Sequence, residues 1–572
     1  MTLRDIDPDV AVDAAPDVAV DGAADRLGEP ARPSRLRTAL AGLTSVLAVL
    51  LVWIALVLPD ALGQVGPLAL LRVPVELVLL VGLVLVLPPR ARRVVAVAAG
   101  VVLALVTVVR LFDLGFRSAL GRPFDPVLDR AYLGSAVSLL SDSVGRTAAI
   151  WTVVAAVVVP LVLLVLLPWS VLRLARLVDL HRTTSARAAG VLAVAWLLAA
   201  ALGLQLVPGV PIASAGAYTL VRDHVSQTAA DLRDSAAFAR AVATDPLRST
   251  PTDQLLTGLR GKDVIVAFVE SYGQVAVQGS SIAPGVDRVL DDGTAQLQAA
   301  GFSARSAWLT SPTFGGISWL AHSTLQSGVW VDNQQRYDDL VGSDRFTLSD
   351  AFKRAGWRTV ADVPSNTGDW PEGRSFYHYD ALYDAHDVGY RGPKFSYAAM
   401  PDQYVLAEFR RLELAKAHHQ PVMAEIDLVS SHTPWAPLPR MVPWDQVGDG
   451  SVFDPMPAQG TPPSQVWRDP AQVRASYGQS IQYSLSALVS FVRTYPDPNL
   501  VLVVLGDHQP STIVSGDHAG HDVPVSVVAH DPAVLDRIAG WDWQPGLRPG
   551  ADAPVWRMDA FRDRFLDAFD GG

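Results

Sequence analysis

The sequence predicts an α-helical membrane domain of five transmembrane helices, followed by an outward-facing α/β domain with a mostly parallel, doubly wound sheet. Half of the 572 residues are hydrophobic and 18% are charged, against roughly 25% charged in an ordinary soluble protein. Near-uncharged stretches of about 20 residues, the length that spans a ~30 Å hydrocarbon layer as a helix, recur up to residue 210. Beyond residue 260, short apolar strands alternate with helical stretches, as in a parallel sheet covered on both faces. The net charge of −11 offers no general electrostatic attraction for nucleic acid. Absence of cysteine excludes disulfides, thiolate zinc sites, iron–sulfur clusters and a cysteine nucleophile, so any metal must be held by oxygen and imidazole ligands.

Residues 1–36 are rich in Ala, Pro and Asp without apolar periodicity and read as a disordered cytoplasmic tail. They lack the basic start and apolar run of a secretory signal. Spans are expected near 38–59, 67–88, 94–112, 148–172 and 188–209, within a membrane domain of 37–210. Arg35 and Arg37, then Arg90, Arg92 and Arg93, then Arg173, Arg176, Arg182 and Arg187 fall on one side of this pattern, while the first connection, 60–66, carries no Lys or Arg. The positive-inside rule makes the tail cytoplasmic, and five crossings put everything after residue 210 outside. The third connection, 113–147, holds Arg117, Arg122, Arg130 and Arg146 and reads as carrying a short helix on the outer surface. Arg72 and Glu76, one helical turn apart, read as a neutralising pair or as a lipid-entry feature. Pro160 and Pro168 read as kinks in the fourth span.

Residues 211–260 form a polar, mostly helical connector, and 261–572 the outer domain. Strands are expected at 264–270, 357–364, 421–429 and 499–507, with helices at 286–300, 346–355, 402–418 and 477–494. In open α/β sheets ligands bind beyond the carboxyl ends of the strands, and the distinctive residues fall there. Glu270 ends the first strand in VESYG, His432 follows another in LVSSHTPW, and Asp507 and His508 end a third in VVLGDHQP. Each alone is weak, since a strand-end Glu often caps a helix and an Asp-His pair is often only loop. Together they form a carboxylate and imidazole set suited to a divalent metal, Mn²⁺ first by its oxygen-rich character, with Mg²⁺ or Zn²⁺ as alternatives.

A hydroxyl would complete such a site. In SPTFGGISWLAHSTLQSG (311–328), Gly315 and Gly316 permit a tight turn before Ser318 opens a helix. A helix N-terminus favours phosphate and an alkoxide; it is equally a common place for a serine that merely caps.

With these motifs on the page, the sequence resembles the alkaline phosphatase and sulfatase superfamily, and within it the membrane-anchored lipoteichoic acid synthase-like phosphoglycerol transferases. The likeness rests on the five expected spans, Glu270, the glycine-led GGISWLAHSTLQSG, the His432 of SSHTPW and the Gly506–Asp507–His508 triplet. It implies Ser318 as covalent nucleophile and metal ligand beside Glu270, Asp507 and His508, with His432 contacting substrate. The family motif places the nucleophile ten residues before a helix-closing glycine, which from Gly328 gives Ser318; Thr313 is the runner-up, of the usual residue type but misplaced by five. His322 stands where the family has a Glu, and Trp370 and Arg374, the counterparts of glycerophosphate-binding residues, depart from the usual spacing. His521 is a further substrate-binding candidate or an exposed loop histidine, and His378, His418 and His419 receive no role. Without a [C/S]-x-P-x-R motif at Ser318, formylglycine chemistry is disfavoured.

The implied activity is transfer from a lipid-linked phosphodiester to a cell-envelope acceptor by an enzyme at the membrane, with its catalytic domain outside. Its rivals are a phosphodiesterase, phosphatase or sulfuric ester hydrolase using the same site, and a non-catalytic envelope protein with a decayed site.

Overall fold

The computed structural model describes residues 35–59, 66–125, 129, 141, 145–207, 210–416 and 419–571. Nearly all of the tail expected over 1–36, most of the first connection, the greater part of the third including Arg130, and His418 lie outside the described residues.

The apolar segments form helices α1 (Arg35–Val57), α2 (Val75–Val86), α3 (Pro89–Leu120), α4 (Arg146–Leu180) and α5 (Arg182–Ala201). Four of them are long and apolar enough to cross a membrane: Leu36–Val57, Pro89–Leu120, Arg146–Leu180 and Arg182–Ala201. The second expected span is much shorter than 67–88. It is helical over only the 12 residues of α2, about 18 Å at 1.5 Å per residue. Proline is the reason. Residues Pro67–Leu71 make a tight turn, Val73–Pro74 pairs in parallel with Ala213–Ser214, and the helix begins only after Pro74. Arg72 therefore lies on extended backbone and shares no helical face with Glu76. Glu76 Oε1 accepts from the N–H groups of Ala217 and Tyr218, at 3.0 and 3.3 Å, at the start of connector helix α6 (Gly216–Ala243).

Two further boundaries move. The fifth span stops at Ala201 because Gly203 adopts φ +61°, after which Gln205–Val207 pairs with Val210–Pro211. The third runs on to Leu120, eight residues past its expected end, until Gly121 at φ +65° closes it with an N–H to the Arg117 carbonyl at 3.2 Å. Asp113 does not end it, since its buried carboxylate accepts from Phe124 N at 2.9 Å. Pro168 of α4 packs on Gly100 of α3, where an added Cβ would lie 2.4 Å from Pro168 Cα.

The α/β domain that follows, called the outer domain after its expected side, carries a nine-stranded sheet. Its elements in chain order are β1 (Asp263–Val269), α7 (Ala283–Ala299), β2 (Ser303–Thr310), α8 (Ser318–Ser327), α9 (Leu348–Arg354), β3 (Arg358–Asp362), β4 (Ala381–Tyr383), α10 (Asp402–Phe409), β5 (Val422–Leu428), α11 (Pro470–Thr494), β6 (Leu500–Gly506), β7 (Asp522–Ala529), β8 (Gln544–Pro545), β9 (Val555–Arg557) and α12 (Phe561–Phe569). The spatial order is β8-β2-β7-β6-β1-β5-β3-β4, with β9 also on β2. From β6 to β4 every pairing is parallel, whereas β7 pairs antiparallel with both β6 and β2. Apolar side chains form a core on each face, one around Ile265, Val286, Tyr404 and Ile481, the other around Phe268, Leu325, Phe352 and Phe565. Strands β1 and β6 are buried throughout, as continuous apolar runs must be in a sheet covered on both sides. In register, Gly506 stands opposite Val269, and Val269 opposite Leu428. The residues that leave β6, β1 and β5 thus emerge side by side.

Candidate active site

Glu270, Asp507 and His508 are the first residues beyond β1 and β6, and parallel pairing brings them together. Ser318 arrives from elsewhere, as the first residue of α8, after a turn through Gly315 at φ +72° and Ile317 at φ +66°. A β-branched residue in the left-handed region is strained, and this one aims the helix start at the strand ends. Ser318 Oγ donates to Glu270 Oε2 at 2.9 Å and lies 3.2 Å from His508 Nε2. His508 Nε2 is 3.3 Å from Glu270 Oε1 and 3.6 Å from Asp507 Oδ2. Asp507 and His508 are 0% and 1% exposed.

The remaining atoms of these groups are held. Asp507 Oδ1 accepts from the N–H groups of Ser271 and His508, each at 2.7 Å, while its buried Oδ2 accepts no hydrogen bond. Glu270 Oε1 accepts from Ser271 Oγ at 2.8 Å. His508 Nδ1 lies 2.8 Å from the Gln509 carbonyl, which fixes the tautomer that leaves Nε2 a lone pair when the ring is neutral. Burial opposes charge on Glu270, but His432 and His508 outweigh it and hold the carboxyl well below its usual range. Asp507 is pushed up, by burial first and then by Glu270. His508 is raised to about 9, since Asp507 and Glu270 overcome burial. Ligand atoms of Glu270, Asp507 and His508 all lie within 4.8 Å of one another. An unpartnered buried carboxylate oxygen, a second carboxylate, an imidazole lone pair and a hydroxyl, all converging, fit a divalent cation. The donor set does not select among Mn²⁺, Mg²⁺ and Zn²⁺.

Of the other expected residues, Thr313 makes no hydrogen bond to Glu270, Asp507 or His508. It donates from Oγ1 to the Gly316 carbonyl at 2.6 Å and so serves the turn. His432 is stacked on Tyr397, centroids 3.6 Å apart, and its charge is felt at Glu270. Trp370 packs on Tyr377 and Tyr379, and the exposed Arg374 donates to the Asp380 carbonyl at 3.2 Å. Their contacts stop short of Ser318, although Tyr379 reaches Glu425 at 2.8 Å. His521 lies against the Ser311 carbonyl at 3.2 Å and the Phe314 ring at 5.5 Å.

Sequence reasoning missed a second cluster one turn along α8. His322 stacks on Phe268 at 3.8 Å and lies 3.2 Å from Glu425 and 3.5 Å from Asp427. Burial would lower this histidine, yet Asp427 and Glu425 raise it to about 9. The signal was present in PVMAEIDLV, where two acids two apart interrupt a buried strand and must share a face. Ser271, Ser311 and Ser431, which brace Asp507 and Glu270, and the stacked Tyr397 carried no distinguishing pattern.

No family model and no curated protein matches the chain. Among solved structures it is similar to a lipoteichoic acid synthase from Listeria monocytogenes, with 14% identity over 56% of this chain and 79% of that one and a TM-score of 0.34. It is similar to a Streptococcus pyogenes phosphoglycerol transferase in complex with sn-glycerol-1-phosphate, at 11% identity, 59% and 93% coverage and TM-score 0.33. A third is the soluble domain of lipooligosaccharide phosphoethanolamine transferase A from Neisseria meningitidis, at 13%, 54% and 88%, and 0.34. Identity and TM-score are low in each case, and the chemistry rests on the residues themselves.

Proposed function

We propose that this chain is a membrane-bound, metal-dependent transferase that moves a phosphodiester-linked head group, of phosphoglycerol type, from a lipid to a cell-envelope acceptor through a covalent Ser318 intermediate. One observation carries the reading: a hydroxyl at a helix N-terminus, 2.9 Å from Glu270 and 3.2 Å from His508, beside a buried Asp507 oxygen with no hydrogen-bond partner.

Glu270, Asp507, His508 and Ser318 would hold the cation, which when bound lowers the hydroxyl pKa and neutralises charge on the transferring group. Ser318 Oγ, oriented by its hydrogen bond to Glu270 Oε2, attacks phosphorus and gives up its proton, while the bond from phosphorus to the lipid alcohol breaks and the departing oxygen takes up a proton, so that no net proton is consumed. The acceptor hydroxyl then attacks phosphorus from the opposite side and the Oγ–P bond breaks, returning a proton to Ser318. The first N–H groups of α8 and the His432 ring supply donors to the phosphoryl oxygens. Trp370, Arg374 and His521 are assigned to the outer part of the substrate, with Arg374 free to swing from its carbonyl partner because it is exposed. We assign α2 and its proline-led approach, Pro67–Val86, as the second of five crossings, because its start pairs near Ser214 while Leu85 at its other end accepts from Arg182. This parity leaves the Arg-rich end inside and the catalytic domain outside.

Intact-mass measurement after incubation with phosphatidylglycerol and Mn²⁺ tests the proposal. A glycerophosphoryl adduct mapped to Ser318, absent in Ser318→Ala and discharged by a glycan acceptor, is expected. Steady turnover of the lipid by Ser318→Ala would sink it.

A further inference from the structure

The unexpected length of α3 leads to the active site. At 32 residues it is about 48 Å long, beyond the ~30 Å of the hydrocarbon layer. Its final turn, Ser118–Leu120 with Gly121, meets the two outer-domain loops that flank the candidate site. Thr512 Oγ1 donates to the Ser118 carbonyl at 2.9 Å. Gly315 lies so close beneath Ala119 that an added Cβ would fall 1.7 Å from the Ala119 carbonyl oxygen, and one on Gly316 would lie 3.6 Å from Leu120 Cδ2. A Cβ on Gly121 would in turn fall 2.9 Å from the ring of Phe314, which is buried. The two loops are bound to each other as well, since Gly315 N donates to the Gln509 carbonyl at 2.9 Å and Phe314 bridges to Gln509. One loop ends at Ser318 and the other begins at His508, so a single helix end braces the approach to both.

We propose that this last turn of α3 is a positioning element of the active centre: docking on it sets the Thr313–Ile317 and Gln509–Thr512 turns, and with them the distance from Ser318 to Glu270 and His508. The glycines argue for it. Gly315 and Gly121 both adopt positive φ and both lie where any side chain would part the two domains. A mere tether would not require such close approach on both sides. The proposal rests on the catalytic reading above and adds that chemistry at Ser318 depends on the membrane domain being seated, which keeps the site active only where a lipid head group can reach it.

The test uses the full chain in lipid nanodiscs, with a soluble aryl phosphodiester as substrate so that lipid access plays no part. Thr512→Val combined with Leu120→Ala removes the hydrogen bond and the side chain over Gly316; Thr512→Ser keeps the hydroxyl. For the pair, kcat is expected to fall about tenfold or more with KM within about twofold, as when a reacting group is displaced without loss of substrate contacts. Bound Mn²⁺ per chain should be unchanged, hydrogen exchange in the 311–320 and 507–516 peptides faster, and Thr512→Ser close to the parent. Parent-like kcat and exchange in the pair, or a drop in kcat accompanied by loss of Mn²⁺, would overturn the proposal. Should the pair fail to fold, exchange in Thr512→Val alone decides. Ser318→Ala in the same assay separates the two readings: if it turns over like the parent, the catalytic reading has failed, and exchange still judges the docking.

Discussion

At the scale of single residues, the proposed choice of Ser318 over Thr313 rests on where each proton points. Ser318 donates to Glu270, whereas Thr313 donates to the backbone of its own turn. Ser318→Ala is expected to cut turnover by about 10³ or more, the range for loss of a covalent nucleophile. Thr313→Ala should keep activity within about tenfold, because a turn hydrogen bond contributes only about 1 kcal/mol. Initial rates on one lipid substrate compare the two. His419, given no role from sequence, forms an ion pair with Asp263 at 2.8 Å. Burial opposes its charge, but Asp263 outweighs burial and raises it above the ordinary value near 6.5. A histidine raised on folding stabilises below its unfolded value and loses that contribution as pH rises through the folded one. The parent should therefore lose more thermal stability than His419→Gln between about pH 6 and pH 9, by less than about 1 kcal/mol for so partly exposed a pair. Melting curves at both pH values decide it; parallel shifts would refute the assignment.

At the scale of elements, the close approach of β6 to the turn after β1 holds the metal-ligand candidates in place. A Cβ at Gly506 would lie 1.9 Å from the Tyr272 carbonyl oxygen. Gly506→Ala must separate the strand end from that turn, which also carries Glu270 and Ser271. It is expected to destabilise the outer domain by about 2 kcal/mol or more and to weaken Mn²⁺ binding, read by denaturant midpoint and by bound metal after dialysis. Retained metal and an unchanged midpoint would show that the turn can give. Strands β1, β3, β5 and β6 were legible in sequence to within a residue or two: β1 and β6 as uninterrupted apolar runs, β3 and β5 as short β-rich segments between helical stretches. β2 was not. Its residues, SARSAWLT, are partly polar and carry no such run, and its partners lie far away in sequence at β7 and β9.

At the scale of the whole molecule, the α/β domain sits against the end of α3 and the connector helix α6. With α2 counted as a crossing, a reporter active only outside the cytoplasm should work when fused at the C-terminus and fail between Leu180 and Arg182. A reversed pattern would remove the crossing at α2. The Arg92–Asp179 and Arg182–Asp179 pairs, at 2.5 and 2.9 Å, tie the Arg-rich ends of α3, α4 and α5 together.

Sequence alone determined the order of parts: apolar runs long enough to span a bilayer, then buried strands with Glu270, His432, Asp507 and His508 at their ends. Such features are local, since the length of an apolar run and the end of a strand need no partner to be read. Tertiary structure decided where α3 stops, which backbone N–H groups Glu76 serves, that Ser318 rather than Thr313 meets Glu270, and that His322 faces Glu425 and Asp427. Each of these depends on what lies opposite across the fold. A buried carboxylate, a positive-φ turn and a helix end without space for a Cβ acquire their meaning only from a neighbour remote in the chain.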